Sequence, residues 1–254
     1  MVYFAPAVPT VPEEWWNRIA AGFARSEVPA VTVTELLTVV LVAVVLSVPS
    51  ATWRYFGLFA TVTHELGHAF AALTSGQRLG GIKLRLNHSG TTTSFTRGRF
   101  AAVWSGFWGY PVPGVTGAAL VWSGFNGWGP AAMSAGLLVL LASLVFIRNA
   151  AGVLILLATV VCAGALVLAV PSAFTGHVAI ILGLALLVAA VRDLAKLTNV
   201  HLRRRDQLAT SDAYILYRAT AVPSGVWIAL FSLVVAASWA VAWQPMSRIF
   251  TGGA

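Results

Sequence analysis

Residues 56–75, FGLFATVTHELGHAFAALTS, form an apolar segment with three titratable side chains near its middle. The segment has the length of a helix that crosses a hydrocarbon core about 30 Å thick, for which roughly 20 residues suffice. Titratable groups at that depth are costly and mark functional sites by default. The segment therefore predicts a transmembrane helix with a reactive site inside it.

The composition of the whole chain agrees with a membrane location. Of the 254 residues, 58% are hydrophobic and only 9% are charged, whereas soluble domains carry roughly 25% charged residues. So few charges cannot cover the surface of a water-soluble globule, which excludes the soluble classes of enzyme and binding protein. The single cysteine, Cys162, excludes an intramolecular disulfide bond.

Apolar segments recur along the chain and predict an all-α polytopic membrane protein with about seven transmembrane helices. The predicted spans are 33–51, 56–75, 100–123, 131–147, 151–171, 174–191 and 222–243. A small membrane-associated β-hairpin is predicted at 81–95, because apolar and basic residues alternate there up to a turn at 87–90.

The N-terminal segment carries a further helical pattern. Within residues 13–26, the side chains of Trp16, Ile19 and Phe23 fall on one face at helical spacing, which predicts an interfacial helix on the inner leaflet. We therefore expect three parts in the chain. They are a cytoplasmic N-terminal segment (1–30), an integral membrane domain (31–247) and a short tail (248–254).

The net charge of +8 predicts how the chain is oriented. With seven spans and the N-terminus inside, all but two of the 16 Lys and Arg residues lie on the inner side, the exceptions being Arg54 and Arg248. Cytoplasmic loops concentrate Lys and Arg, so we predict a multi-pass plasma-membrane protein with a cytoplasmic N-terminus. Because topology accounts for the basic excess, no nucleic-acid partner is expected. The basic stretch 192–221 either contacts anionic lipid or forms a solvated loop.

The three titratable residues of the opening segment, His64, Glu65 and His68, form the pattern HExxH. The spacing of four residues places both imidazoles on one face of a helix, where they can bind one Zn²⁺ ion, and Glu65 beside them is suited to act as a general base. The alternative is a pair of histidines hydrogen-bonded across a helix bundle, which requires all three groups to be buried without a metal. The pattern favours a zinc-dependent metalloendopeptidase.

The chain resembles the site-2 protease family of intramembrane zinc metallopeptidases, particularly its compact bacterial branch. The resemblance is carried by HELGHA at 64–69, the strand-like segment 81–90, the Gly/Pro-broken stretch GYPVPGVTGA at 109–118, and Ser-Asp-Ala at 211–213 before the last span. It implies hydrolysis of peptide bonds in membrane-spanning or membrane-anchored protein substrates, that is, regulated intramembrane proteolysis. It also implies a bacterial source.

The resemblance further implies a third metal ligand, an aspartate from a later helix. Typical members carry it in an Asn-Pro…Asp-Gly motif, which this chain lacks. The later chain offers Asp193, Asp206 and Asp212. Asp206 follows three arginines as a counter-charge, and Asp193 stands beside basic residues that suit a local salt bridge. Asp212 best resembles the family's Asp-Gly helix start, so it is the predicted ligand and Asp193 is the alternative.

A non-proteolytic membrane protein is the second hypothesis, either a metal-binding transporter or an inactive scaffold. Transporters of several folds contain inverted repeats with ion sites near the membrane midplane, and this sequence shows no repeat. An inactive scaffold has no need of a general base, so the intact Glu65 favours the enzyme.

Overall fold

The computed structural model describes residues 11–95 and 98–251. Residues 1–10 of the predicted N-terminal segment and 252–254 of the predicted tail lie outside the described residues. The described chain forms ten α-helices and two strands. The helices are α1 (Val11–Gly22), α2 (Val33–Ser47), α3 (Ser50–Thr74), α4 (Arg99–Phe107), α5 (Pro111–Phe125), α6 (Gly129–Ser143), α7 (Ala150–Ala169), α8 (Ser172–Arg203), α9 (Asp212–Thr220) and α10 (Ser224–Phe250). The strands are β1 (Arg78–Arg85) and β2 (Ser89–Phe95).

The helices confirm a multi-pass membrane protein but not the count of seven spans. Within the described residues, four helices are long and apolar enough to cross a bilayer: Gly129–Phe146, α7, α8 and α10. Helices α2 and α3 meet at a bend of 87°. If the two are counted together as one broken span, they make a fifth. The predicted span 100–123 is divided between α4 and α5, because Pro111 and Pro113 at the start of α5 lack the N–H groups that would continue α4.

The bend between α2 and α3 is stabilised by an arginine from α8. Pro49 precedes α3 and ends the hydrogen bonding of α2. Arg192 Nη1 donates to the carbonyl oxygens of Ser47 and Val48, both at 2.8 Å, and its guanidinium lies 4.0 Å from the centroid of the Trp53 ring. The carbonyl groups left unpaired at the end of α2 are therefore satisfied by a charged donor.

Helix α8 is the centre of the bundle and runs further than the hydropathy predicts. Its apolar part continues as helix to Arg203, so much of the predicted connection 192–221 is helical. α5 crosses α8 at glycines: a Cβ atom on Gly117 would lie 2.6 Å from the Gly183 carbonyl oxygen, which shows how closely the two backbones approach. Small residues at such crossings allow backbone contact between membrane helices.

The predicted β-hairpin is confirmed, with β1 beginning at Arg78 rather than at residue 81. The strands pair antiparallel with Ile82 opposite Thr92, and the connecting turn ends at His88, whose φ is 60°. The outer edge of β1 is also occupied: the Arg148 N–H donates to the Ile82 carbonyl (2.9 Å), and the Asn149 amide bonds both the N–H and the carbonyl of Leu84 (3.1 and 2.7 Å). These bonds fix the hairpin against the start of α7.

Helix α1 (Val11–Gly22) overlaps the predicted range 13–26 but ends before Phe23, and it packs against α6 and α7. Ile19 joins the apolar cluster around Met133 and Leu137. Trp15 and Trp16 face away from the bundle, with 53% and 62% of their surface exposed. The interfacial location of α1 stays a prediction.

Candidate metal centre

Helix α3 presents the two histidines of the HExxH pattern one turn apart. The Nε2 atoms of His64 and His68 lie 3.2 Å from each other. Residues at i and i+4 stack on one face of an α-helix, so this proximity follows from the local sequence once the segment is helical. The two imidazoles therefore offer two nitrogen atoms to one point in space.

Asp212 reaches this point from the first position of α9. Its Oδ2 atom lies 3.1 Å from His68 Nε2 and 3.4 Å from His64 Nε2. Burial disfavours ionisation of the Asp212 carboxyl, but the adjacent imidazoles outweigh it and hold the pKa of Asp212 below its ordinary range. The structure thus brings together the three residues that were predicted as ligands.

The residues on both sides of Asp212 are buried, and their packing positions the start of α9 beside α3. The preceding residue, Ser211, is buried and its hydroxyl is hydrogen-bonded to His201 Nε2 at 2.8 Å. The following residues Ala213 and Leu216 are buried in an apolar cluster with Phe231 and other residues of α8 and α10. α9 is therefore held from α8, α4 and α10, and its first residue is directed at α3.

The three ligand atoms fit a tetrahedral divalent cation. Bonds of about 2.0–2.1 Å to nitrogen and oxygen separate tetrahedral ligands by about 3.3 Å, and the separations here are 3.1, 3.2 and 3.4 Å. The His68 Nδ1–H donates to the Ser105 carbonyl (2.7 Å), which leaves the Nε2 lone pair directed at the other two ligands. Between 13% and 21% of each ligand side chain is exposed, so the group is not fully enclosed by protein.

Glu65 lies on the side of α3 that faces the hairpin, and only 4% of it is exposed. The Thr92 hydroxyl of β2 donates to Glu65 Oε2 at 2.7 Å. Gly90, also on β2, packs so closely on the Glu65 side chain that a Cβ atom there would overlap it. The hairpin thus covers the carboxylate and supplies its hydrogen-bond donor.

The break between α4 and α5 forms another wall of the centre. A Cβ atom on Gly109 would overlap His68 Nε2 and lie 2.9 Å from His64 Nε2. The Tyr110 ring stands edge-on to the His64 ring with 4.8 Å between centroids, and it stacks on Phe231 on its other side. The Gly/Pro-broken stretch therefore brings the backbone of Gly109 and the ring of Tyr110 up to the histidines.

In the described part of the chain, Asp193 does not form the local salt bridge that its basic neighbours suggested. Within the described residues it forms no ion pair with Arg192 or Lys196, because Arg192 instead donates to the carbonyl oxygens at the α2–α3 bend. Neither Asp193 nor Asp206 belongs to the described group of converging ligand atoms. The geometry favours Asp212 over the alternative.

Three contributors to the centre were not identified from the sequence: Thr92, the Ser105 carbonyl and His201. Thr92 and His201 stand in no recognisable motif, and the role of Ser105 rests on its backbone. The one usable signal was the glycine content of the stretch 109–118 and of the hairpin turn, which favours close backbone approach.

Comparison with known proteins adds one finding. A family model described as Peptidase M50B-like matches residues 37–242, which is most of the chain and includes the three converging residues and Glu65. Comparison with curated proteins and with solved structures gives no match.

The ligand assignment can be tested by metal content. We expect Asp212→Ala to weaken metal binding by more than about 100-fold, since loss of a ligand exceeds the 10–100-fold typical of its outer partners. Asp193→Ala is the matched control and should retain the metal, as measured by elemental analysis of both purified proteins. Loss of metal in the Asp193 variant alone would overturn the assignment.

A second test uses glycine substitutions. Gly109→Ala places a methyl group against both imidazoles and should reduce metal occupancy, because His64 and His68 must move apart. A Cβ atom on Gly136 in α6 would have no neighbour within 4 Å among the described residues. Gly136→Ala should therefore leave occupancy unchanged and stabilise the helix by about 0.5–1 kcal/mol. Equal occupancy in the two variants would show that the backbone at Gly109 does not limit the site.

Proposed function

The chain belongs to the Peptidase M50B-like family, that of the site-2 proteases, and on this basis we propose that it is an intramembrane zinc metalloprotease. Its substrates in this proposal are membrane-spanning or membrane-anchored proteins. The observation that carries the proposal is the convergence of Asp212 on His64 and His68, across 144 residues of sequence, beside the buried carboxylate of Glu65.

The residues of the centre have different roles in the proposed peptide hydrolysis. Zinc, when held by His64, His68 and Asp212, supplies Lewis-acid activation of a water molecule and of the peptide carbonyl. Glu65 accepts a proton from the water as its oxygen bonds to the carbonyl carbon, and returns it to the nitrogen as the C–N bond breaks. Thr92 orients the Glu65 carboxylate through its hydroxyl group.

A transmembrane substrate must be unwound before this chemistry, because its amide groups are hydrogen-bonded within its own helix. We propose that the hairpin holds the unwound segment by strand addition. Its β1 edge is occupied by residues 147–149. Within the described residues, the outer edge of β2 pairs with no other backbone. That edge is therefore the one available to a substrate.

The register of the hairpin identifies which groups lie on this edge. Ile82 and Leu84 direct their backbone groups away from β2, toward Arg148 and Asn149. In an antiparallel ladder, when one residue directs its N–H and carbonyl groups away from the partner strand, the residue opposite it does the same. Their partners, Thr92 and Gly90, therefore direct their N–H and carbonyl groups to the outer edge. Both residues also contact Glu65, so a peptide added here would lie beside the proposed general base.

We propose a setting in a bacterial plasma membrane, as the resemblance to the compact bacterial branch of the site-2 proteases implies. In that setting, cleavage of a membrane-anchored regulator would constitute regulated intramembrane proteolysis.

The decisive variant is Glu65→Gln, tested in proteoliposomes against a panel of single-span reporter substrates. We expect cleavage to fall by at least about 100-fold, as for loss of a positioned general base, while metal content stays equal to that of the wild type. Glu27→Gln, at an exposed position, is the matched control and should cleave normally. Unchanged turnover in the Glu65 variant would exclude the proposed mechanism.

The role of Thr92 can be separated from that of Glu65. Hydrogen bonds to charged groups contribute about 1.5–3 kcal/mol, so Thr92→Val should slow cleavage by roughly tenfold or more without loss of metal. Thr92→Ser keeps the hydroxyl and should restore most of the rate. If the serine variant were as slow as the valine variant, the methyl group rather than the hydrogen bond would be responsible.

A further inference from the structure

A cavity with a partly polar lining lies away from the metal centre, where α1 packs against α6 and α7. Its volume is about 200 Å³. It is bounded by the C-terminal end of α1, the N-terminal ends of α6 and α8, and the C-terminal end of α7. Its polar lining consists of Arg18, Arg25, Ser26, Ser134, Ser172 and Thr175. None of these residues takes part in the proposed hydrolysis.

Two guanidinium groups are held in the wall of this cavity. Arg18 Nη2 donates to the Val170 carbonyl and Arg25 Nε to the Asn126 carbonyl, both at 3.1 Å. An arginine has five N–H donors, so each guanidinium keeps donors for a ligand. No described lining residue is acidic, and neither arginine forms an ion pair within the described chain. The cavity is therefore electropositive.

Ser134 gives independent evidence that the cavity accepts a polar ligand. Only 1% of the residue is exposed, and its hydroxyl forms no hydrogen bond within the described chain. The residue lines the cavity, with α1 packed so closely on it that a Cβ atom on Gly22 would lie 2.5 Å from Ser134 Oγ. The hydroxyl of this otherwise buried residue therefore faces the cavity and is available to a ligand oxygen there.

Two helix N-termini add to the positive potential. α6 begins at Gly129 and α8 at Ser172, and neither has a hydrogen bond from a capping side chain. The N-terminal end of a helix carries partial positive charge, so it favours an anion nearby. Together with two arginines and a free hydroxyl, they favour a phosphate group.

We infer that this cavity binds the phosphate of an anionic phospholipid headgroup. A lipid source is favoured over free phosphate by the location of the cavity. The candidate spans that begin at Gly129, end at Ala169 and begin at Ser172 all terminate beside it, which places it at headgroup depth. The adjacent α1 exposes Trp15 and Trp16, and tryptophans concentrate at membrane interfaces. Helix α1 is then held against α6 and α7 both by its protein contacts and by the bound lipid.

The test measures lipid binding to the full-length protein in detergent by native mass spectrometry, with phosphatidylglycerol as the probe. A basic residue near an anionic surface contributes about fivefold in affinity. We therefore expect Arg18→Gln and Arg25→Gln each to weaken binding about fivefold, and the double variant about 25-fold. Arg248→Gln, at an exposed position on α10, is the matched control and should bind as the wild type does.

Two further arms complete the test. Ser134→Val removes the hydroxyl at constant charge and should also weaken binding, while phosphatidylcholine should bind less tightly than phosphatidylglycerol. Equal affinity in the double variant and in Arg248→Gln would overturn the proposal. Displacement of the lipid by millimolar inorganic phosphate would overturn the lipid source. Because the readout is binding, its outcome is independent of peptidase activity.

Discussion

The contact between Asp212 and the two imidazoles of α3 is the interaction on which the rest of this structure depends. It joins a residue at the start of α9 to a helix that lies 144 residues earlier in the chain. Three titratable groups buried among apolar helices are tolerable only if they satisfy one another or share a metal. The remaining elements are arranged so that this meeting occurs: α8 holds Ser211 through His201, and α10 buries the apolar side of α9.

Close approach of backbone defines the space around that contact. Gly109 lies against the imidazoles, Gly90 lies against Glu65, and Gly67 lies against the backbone of Trp108. At each position a side chain would occupy the volume that now holds a functional group or a neighbouring backbone. The hairpin edge formed by β2 presents backbone groups that pair with no other described strand beside this centre. An enzyme that works on extended peptide needs such an edge, because strand pairing both orders and orients the substrate.

Much of the fold followed from local patterns, and the departures have physical causes. The hairpin formed where apolar and basic residues alternate, and α1 formed where aromatic residues recur at helical spacing. Hydropathy, however, reports where a chain leaves apolar surroundings and not where a helix ends. α8 therefore continues to Arg203 past its predicted boundary at 191, and the predicted span 100–123 is two helices with a break at prolines. The 87° bend after α2 lies at Pro49, and the carbonyl groups that it leaves free are satisfied by Arg192 from a distant helix, a contact that no local stretch of sequence reveals.

For the centre itself, the sequence alone determined the pair of histidines and the glutamate. The two imidazoles lie close together because residues four apart fall on one face of a helix, and this requires no contact with another part of the chain. The sequence left Asp212 and Asp193 as alternatives for the third ligand, and the tertiary structure brings Asp212 beside the two histidines. The same is true of Thr92, the Ser105 carbonyl and Gly109, which reach the centre from elements far apart in the chain. Periodicity tells which face a residue occupies, but only packing decides which faces meet.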